Sequence, residues 1–146
     1  MKAIIIPLET KHLDLCIELD QNTFKGLWTR SQWKSEIIDP KRICLGAFDS
    51  KKLLGLCSGL LILNELHITV LVVNPLHIRK GLGTLILSSI IDRGKNQGIK
   101  KIILEVKETN EPAKALYRKL GFKVTGYRSQ LYSDGSNAFI FLKNLI

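Results

Sequence analysis

Two glycines and a basic pair stand where an apolar run gives way to a segment with helical periodicity. The stretch RKGLGT occupies residues 79–84 and follows the β-branched run that ends at Val73. Glycine costs about 1 kcal/mol in a helix interior, so its use here indicates that something approaches the backbone closely. A strand, a turn and a helix N-terminus place several free N–H groups at one point, and such a nest suits a pyrophosphate.

Other phosphate-binding motifs fit this turn poorly. A Walker A loop has four residues between its glycines and then Lys-Ser/Thr, whereas a single residue separates the glycines here. A dinucleotide fingerprint needs a third glycine where this chain has Ile86, and it usually lies in the first βα unit. On their own, the two glycines would also fit a plain tight turn between a strand and a helix.

The apolar pattern predicts the elements that must position this turn, in the order β-α-α-β-β-β-α-β-α-β-β. The predicted strands are AIIIPL, RICLGAF, LLGLCSGLLIL, HITVLVV, KIILEV, FKVTGYRSQLY and NAFIFLKNL. This order favours an α/β (α+β) domain with one mixed central sheet of seven strands and four helices on its faces. We expect residues 1–146 to form a single domain.

Capping signals predict where the helices begin and end. Thr10 is the expected N-cap of the first helix, and Thr29 opens a capping box before the second. The third helix is predicted over residues 81–96. Asn110 is the expected N-cap of the fourth helix, which Gly121 ends.

Composition and charge limit the classes of protein. Net charge is +9, from 22 basic and 13 acidic residues, which indicates an anionic partner such as nucleic acid, a ribosome surface or a polyphosphate cofactor. The apolar runs are shorter than the roughly 20 residues of a membrane span, and the N-terminus lacks a signal-peptide pattern, so we predict a cytoplasmic protein. Cys16, Cys44 and Cys57 have no C-x-x-C spacing, which favours three reduced thiols and no metal site.

A second motif, NEPAKALYRKLGF at residues 110–122, follows the glycine turn along the chain. Together the two segments resemble the acetyl-CoA-binding core of the GNAT N-acetyltransferase superfamily, over roughly residues 68–124. The resemblance implies the GNAT fold, acetyl-CoA as cosubstrate and transfer of the acetyl group to an amine. One position departs from the family turn, since Ile78 stands where Gln or Arg is usual.

The resemblance also implies which residues meet the cofactor. In the family, the strand before the turn bends away and leaves free N–H groups near the thioester, and the asparagine contacts the cofactor arm. The cofactor-binding residues implied in this chain are Leu71, Val72, Val73, Arg79, Lys80, Gly81, Leu82, Gly83, Thr84 and Asn110.

Acetyl transfer needs an acid for the leaving thiolate and a base for the amine, and the resemblance implies candidates for both. Tyr117 would lie beside the cofactor sulfur, and a phenol with a pKa of about 10 can protonate a thiolate of about 8.5. Glu105 is the candidate base, because partial burial among apolar neighbours would favour proton uptake. His67 is the rival base. An aromatic in the core and an ion-paired glutamate on a strand remain alternative interpretations of Tyr117 and Glu105.

Two segments outside this core resemble the bacterial ribosomal-protein alanine N-acetyltransferases. The matching positions in the first segment are Trp28, Thr29, Trp33 and Glu36. The second segment covers residues 127–138, where Leu131 replaces a tyrosine and Tyr132 remains. The resemblance implies an acceptor, the α-amino group of an N-terminal alanine on a small-subunit ribosomal protein.

Other acceptors and one non-catalytic function stay open. A polyamine, an antibiotic or a lysine side chain would also accept acetyl, although a cationic small molecule favours an acidic pocket and the sequence has no acidic cluster. A CoA-binding or RNA-contacting module would use the basic surface without catalysis. Direct nucleic-acid binding is not expected, because no RNA-binding motif with interleaved aromatic residues occurs, and no membrane partner is expected.

Overall fold

The central feature of the computed structural model, which describes residues 3–77 and 81–145, is a seven-stranded mixed sheet. Its strands are β1 (Ile4–Pro7), β2 (Arg42–Asp49), β3 (Lys52–Ile62), β4 (Glu65–Val73), β5 (Lys101–Lys107), β6 (Lys123–Arg128) and β7 (Ala138–Asn144). The spatial order is β1-β2-β3-β4-β5-β7-β6, with β4 and β5 parallel and the other neighbours antiparallel. The predicted mixed sheet and its number of strands are confirmed.

Four α-helices cover the sheet, in the predicted order. They are α1 (Leu13–Thr23), α2 (Arg30–Ile38), α3 (Leu82–Asn96) and α4 (Glu111–Lys119). One apolar cluster joins α1 and α2 to the sheet, and a second joins α3 and α4 to it. Strands β2 and β3 are buried almost throughout, which explains their nearly continuous apolar sequences. Within the described residues, no helix is long and apolar enough to cross a membrane.

The sheet parts in its middle, between the two parallel strands. Strand β4 pairs with β5 only from Glu65 to His67, opposite Lys101 to Ile103, although both strands continue further. Beyond these three pairs β4 stays with β3 and β5 stays with β7. The parting leaves a gap with backbone groups on both sides, and the predicted site residues lie around it.

Most of the predicted helix caps are confirmed. The Thr29 hydroxyl accepts a hydrogen bond from the Gln32 N–H at 3.2 Å, and the Gln32 side chain accepts one from the Thr29 N–H at 2.8 Å. Asn110 caps α4 by accepting from the Ala113 N–H at 3.2 Å. Gly121 follows α4 with a φ of 90°, in the left-handed region that glycine adopts without strain.

The predicted cap at Thr10 is wrong. Thr10 is the first residue of a short 3₁₀ helix, Thr10–His12, and α1 begins only at Leu13. Glu9 is the N-cap of this turn, and its N–H donates to Nδ1 of His12 at 2.9 Å. The capping box therefore starts at Glu9, one residue before the predicted cap. Its N3 residue is His12, where Glu or Gln is usual.

The three cysteines are free thiols in the interior of the protein. Cys16 and Cys57 have no exposed surface, and Cys44 is 8% exposed. Burial raises the pKa of Cys16 to about 12 and that of Cys44 to about 11. The thiols therefore stay protonated at neutral pH and act as small apolar side chains.

Candidate active site

The gap between β4 and β5 opens into a cleft of about 280 Å³. Its walls are Ile68–Leu71 of β4, Leu104–Lys107 of β5, and Asn110, Ala113 and Tyr117 of α4 and its cap, with Phe24, Leu27 and Tyr132 from two loops. The cleft thus brings together four residues selected from the sequence: Leu71, Glu105, Asn110 and Tyr117. The predicted acid and the predicted base face one space.

Tyr117 is held rigidly at the inner wall of this cleft. It is 8% exposed, and its ring packs against Phe122 and Phe141 with centroids 5.9 and 5.8 Å away. Burial raises the pKa of the Tyr117 hydroxyl well above its usual value, and the nearby Cys57 and Tyr132 add to this rise. The hydroxyl therefore stays protonated at neutral pH and is available as a donor toward the cleft.

Glu105 is more exposed than the sequence led us to expect. It points out of β5, between the buried Leu104 and Val106, and its side chain is 35% exposed. Its Oε1 lies 2.9 Å from Nη1 of Arg128 on β6. Glu105 is thus partly buried, but strand alternation turns it away from the core that holds its two apolar neighbours.

A second cavity of about 370 Å³ adjoins the cleft on the side where β4 and β5 first separate. His67, the rival base, lines this cavity together with Leu131. The His67 ring lies 3.2 Å from Oε1 of Glu65, and its side chain is 37% exposed. Glu105 and Tyr132 line both spaces, whereas His67 lines only the second and Tyr117 only the first. Glu105 is therefore the candidate base that shares a space with Tyr117.

Tyr132 enters the site from the connection between β6 and β7. Partial burial, followed by the nearby Glu105 carboxylate, raises the pKa of Tyr132, although Lys107 opposes this rise. Nζ of Lys107 lies 5.7 Å from the centre of the Tyr132 ring and forms an ion pair with Asp134 at 2.5 Å. Lys107 thus joins β5 to the connection that carries Tyr132.

The backbone of β4 offers donors to the cleft, but the three predicted residues differ. The Asn74 N–H donates to Leu54 of β3 at 2.7 Å. Since alternate N–H groups of a strand point to opposite neighbours, the Val72 N–H also points to β3, opposite Leu56. The N–H groups of Leu71 and Val73 point instead toward the gap. A backbone oxyanion site can therefore use Leu71 and Val73 but not Val72.

The two glycines of the turn serve different purposes. Gly81 is the N-cap of α3 with a φ of 75°, and a Cβ there would meet nothing within 4 Å. Gly83 lies within the first turn of α3, where a Cβ would come 3.1 Å from Leu116 of α4. Gly81 therefore provides the left-handed turn in open space, and Gly83 allows α4 to approach α3.

The remaining residues of the turn are consistent with an anion site at the start of α3. Leu82 is 3% exposed, so only its backbone is available to a ligand, and Thr84 is half-buried. The first N–H groups of α3 have no partner within the helix and carry the positive end of its dipole. Ile78, Arg79 and Lys80 lie outside the described residues.

A negative charge at the start of α3 should weaken binding of acetyl-CoA. We expect Gly83→Glu to raise the dissociation constant of acetyl-CoA by at least about tenfold, equivalent to about 1.4 kcal/mol, because the carboxylate would oppose the phosphates and press on Leu116. Isothermal titration calorimetry measures this change. Gln97→Glu adds the same charge at the other end of α3 and should bind normally; equal affinity of both variants would contradict the assignment.

The loop between α1 and α2 forms a wall of the cleft that the sequence did not reveal. Phe24 and Leu27 are about half exposed and line the cleft. Asp20, only 1% exposed, accepts hydrogen bonds from the Leu27 N–H at 2.7 Å and the Trp28 N–H at 3.1 Å. Burial alone would raise the pKa of Asp20, but these bonds and one from the Trp33 indole outweigh burial and lower it. An ionised Asp20 therefore fixes the loop.

The residues of α2 and its cap that match the alanine N-acetyltransferases mostly contact other parts of the protein and do not line the cleft. Trp33 is 1% exposed, packs edge-on against Trp28 and donates from its indole to Asp20 at 2.8 Å. Thr29 caps α2, and Glu36 is 7% exposed. This segment thus supports one wall of the cleft from behind, and Phe24 and Leu27 supply the surface of that wall.

Within residues 3–77 and 81–145, no group of three His, Cys, Asp or Glu side chains is placed to hold a metal ion. The groups gathered at the cleft are two phenols, a carboxylate and backbone N–H donors, and the His67 imidazole lies in the adjoining cavity. This set can bind an acyl group, stabilise developing negative charge and transfer protons.

Comparisons with known proteins identify the family. The model of the acetyltransferase (GNAT) family matches residues 11–122. The chain is 26% identical to the [ribosomal protein bS18]-alanine N-acetyltransferase of Escherichia coli (strain K12), over 94% of each protein. It is 29% identical to the N-alpha-acetyltransferase RimI of Mycobacterium tuberculosis, over 85% of this chain and 81% of that protein. The crystal structure of the Escherichia coli ribosomal-protein-S18-alanine N-acetyltransferase superposes with a TM-score of 0.91 at 26% identity, covering 99% of this chain and 94% of that one. Since the family model matches well over half of the chain and the cleft lies where β4 and β5 part, the protein belongs to the GNAT acetyltransferase family.

Proposed function

We propose that this protein transfers the acetyl group of acetyl-CoA to the α-amino group of an N-terminal alanine on a small-subunit ribosomal protein. The observation that carries the chemistry is the cleft between β4 and β5, which gathers Tyr117, Glu105 and the free N–H groups of β4. The acceptor is supported by the Escherichia coli relative named above, which is called an N-acetyltransferase of ribosomal-protein alanine in both the sequence and the structure comparison.

Acetyl-CoA, which supplies the activated acetyl group, would bind along the cleft with its phosphates at the start of α3. The N–H groups after Gly81 would hold the pyrophosphate, and the basic pair Arg79 and Lys80 would add positive charge. Thr84 and Asn110 would contact the pyrophosphate and the cofactor arm, as the family resemblance implies. The N–H groups of Leu71 and Val73 would hold the carbonyl oxygen as negative charge develops on it.

Tyr117 would donate a proton where the sulfur leaves. Its hydroxyl stays protonated because its surroundings are apolar, so a proton is present throughout the neutral pH range. Glu105 would take the proton of the incoming amine from the other side of the same space. This arrangement separates the acid from the base across the reacting carbonyl, as the two proton transfers require.

An α-amino group suits a base as exposed as Glu105. A free α-amine has a pKa near 8, against about 10.4 for a lysine side chain, so it needs less help to lose its proton at neutral pH. The second cavity, with His67, Leu131 and Tyr132, opens onto Glu105 from the side away from α4. We assign the acceptor chain to this cavity and the cofactor arm to the cleft beside Tyr117.

Residues 1–146 would act as one catalytic domain in the cytoplasm, with acetyl-CoA and a ribosomal-protein N-terminus as partners. The reaction needs no metal, no membrane and no direct contact with nucleic acid.

The acceptor is tested with three sets of molecules in an assay of thiol release from acetyl-CoA. We expect turnover with peptides that begin with alanine. Matching peptides with a blocked N-terminus and free lysines, and a panel of polyamines and aminoglycosides, should react at least about tenfold more slowly, since the site is fitted to the α-amine. Mass spectrometry of small-subunit ribosomal proteins incubated with enzyme and acetyl-CoA then locates the acetyl group. Faster reaction of the blocked peptides would indicate a lysine acetyltransferase, and turnover of small amines alone would indicate the other alternative.

A further inference from the structure

Strand β4 contains an irregularity beside the cleft. Along β3, Ser58 lies opposite Val70 and Gly59 lies opposite Ile68, so Thr69 has no partner residue. Thr69 is therefore the extra residue of a β-bulge. It lines the cleft and the second cavity alike, where β4 turns away from β5.

The bulge reverses the faces of β4. Before it, Leu66 and Ile68 pack with the cluster of α3 and α4. After it, Val70 and Val72 pack with the cluster of α1 and α2. Strict alternation without the bulge would keep all four side chains on one face, because side chains in a strand repeat every second residue.

The same reversal decides which N–H groups face the cleft. With the extra residue at Thr69, the N–H groups of Leu71 and Val73 point into the gap and that of Val72 points to β3. A regular β4 without the extra residue would exchange these directions. The donors assigned to the carbonyl oxygen therefore depend on the bulge staying in place.

A buried carboxylate from α2 holds the bulge. Oε2 of Glu36 lies 2.9 Å from the Thr69 hydroxyl and 2.6 Å from the Ser58 hydroxyl. Arg42 neutralises this carboxylate, with Nη1 2.8 Å from the same oxygen. Glu36 is 7% exposed and Ser58 is fully buried, so water competes little for these bonds.

We propose that Glu36 is a positioning residue for acetyl transfer, which holds Thr69 and Ser58 so that the N–H groups of Leu71 and Val73 point toward the gap between β4 and β5. Glu36 touches neither the cleft nor the groups assigned to the reaction. Its effect passes through two hydroxyl groups to the backbone of β4. This inference rests on the proposed acetyl transfer in the cleft and adds a residue of α2 to it.

Two variants remove the hydrogen bond between Glu36 and Thr69, each from one side. Thr69→Val keeps the shape of the side chain but loses the hydroxyl, and Glu36→Gln keeps its length but loses the charge. We expect each to lower kcat by about tenfold or more, short of the 10²–10³-fold loss of a whole oxyanion donor, with the acetyl-CoA dissociation constant nearly unchanged. Thr69→Ser restores the hydroxyl and should restore kcat. Ser31→Ala and Ser35→Ala serve as matched controls, because both serines lie on α2 with Glu36 and line neither the cleft nor the second cavity.

Amide hydrogen exchange of residues 69–73 provides a readout that does not depend on activity. Exchange should be faster in Glu36→Gln and Thr69→Val than in the wild type and the serine controls. The double variant should lower kcat by less than the product of the two single effects, because both act through one contact.

A merely structural Glu36 would give a different result. Lower melting temperatures with normal kcat below the transition, or normal exchange across β4 in folded variants, would overturn the positioning role. If the wild type transferred acetyl to no acceptor, the proposed function would have failed, and the exchange of β4 would still decide whether Glu36 holds the bulge.

Discussion

Replacing Tyr117 by phenylalanine should lower kcat by about 10²–10⁴-fold, the usual contribution of general acid–base catalysis. Phenylalanine keeps the ring that packs against Phe122 and Phe141, so the fold and the inner wall of the cleft should stay intact. Only the hydroxyl group at the cleft surface, with its proton, is lost. Affinity for acetyl-CoA measured by calorimetry should therefore change little while turnover falls.

The matched control for this change is Tyr127→Phe. Tyr127 lies on β6, is 54% exposed and packs against Phe139, outside the residues that line the cleft. Steady-state kinetics of both variants, with an alanine-initiated peptide, separate the loss of a catalytic proton from the loss of a tyrosine. Normal kcat in a folded Tyr117→Phe protein would return Tyr117 to the alternative interpretation, an aromatic of the core.

The pH dependence expected for Tyr117 follows from its raised pKa. A phenol whose pKa lies well above 10 in the folded protein stays protonated through the range in which the enzyme is assayed. Any decline of kcat/KM between neutral pH and pH 9 should then belong to another group. The folded protein also holds this proton more tightly than the unfolded chain does. The free energy of unfolding should therefore fall as the pH rises above about 10.

Local signals predicted the elements well because their causes are local. The Thr29 capping box, the Asn110 cap and the Gly121 stop each depend on residues within one helical turn. The cap at Thr10 was missed by one residue because the box is closed by His12, which is unusual in that position. The separation of β4 from β5 could not be read from either strand's pattern, since each continues as an ordinary strand beyond the last paired residue.

The part of the site that could be predicted is the part formed by the glycine turn and the segment at residues 110–122. Tyr117, Asn110 and the two glycines lie in one recognisable pattern and border the cleft or the turn beside it. The exposure of Glu105 depends on strand register, and the bulge at Thr69 depends on a contact with Glu36, 33 residues earlier in the chain. The loop held by Asp20 likewise depends on bonds over seven and eight residues. Such contacts leave no periodic signal in a single sequence.

Glu105, the proposed base, is the second residue whose replacement should have a large effect on the rate. Glu105→Gln should lower kcat/KM by about 10²-fold or more, because an amide cannot take the proton of the amine. The substitution keeps the shape of the side chain and its place between Leu104 and Val106. Steady-state kinetics with an alanine-initiated peptide measure this loss.

Three further variants decide whether that role belongs to Glu105. Glu108→Gln removes a carboxylate just beyond β5, outside both cavities, and should be fully active. Arg128→Met frees Glu105 from its ion pair at 2.9 Å and should leave the enzyme active, because the carboxylate itself remains. His67→Ala should retain most activity, because His67 lines the second cavity but not the space that holds Tyr117. An inactive His67→Ala beside a fully active Glu105→Gln would move the base to His67, across the point where β4 and β5 separate.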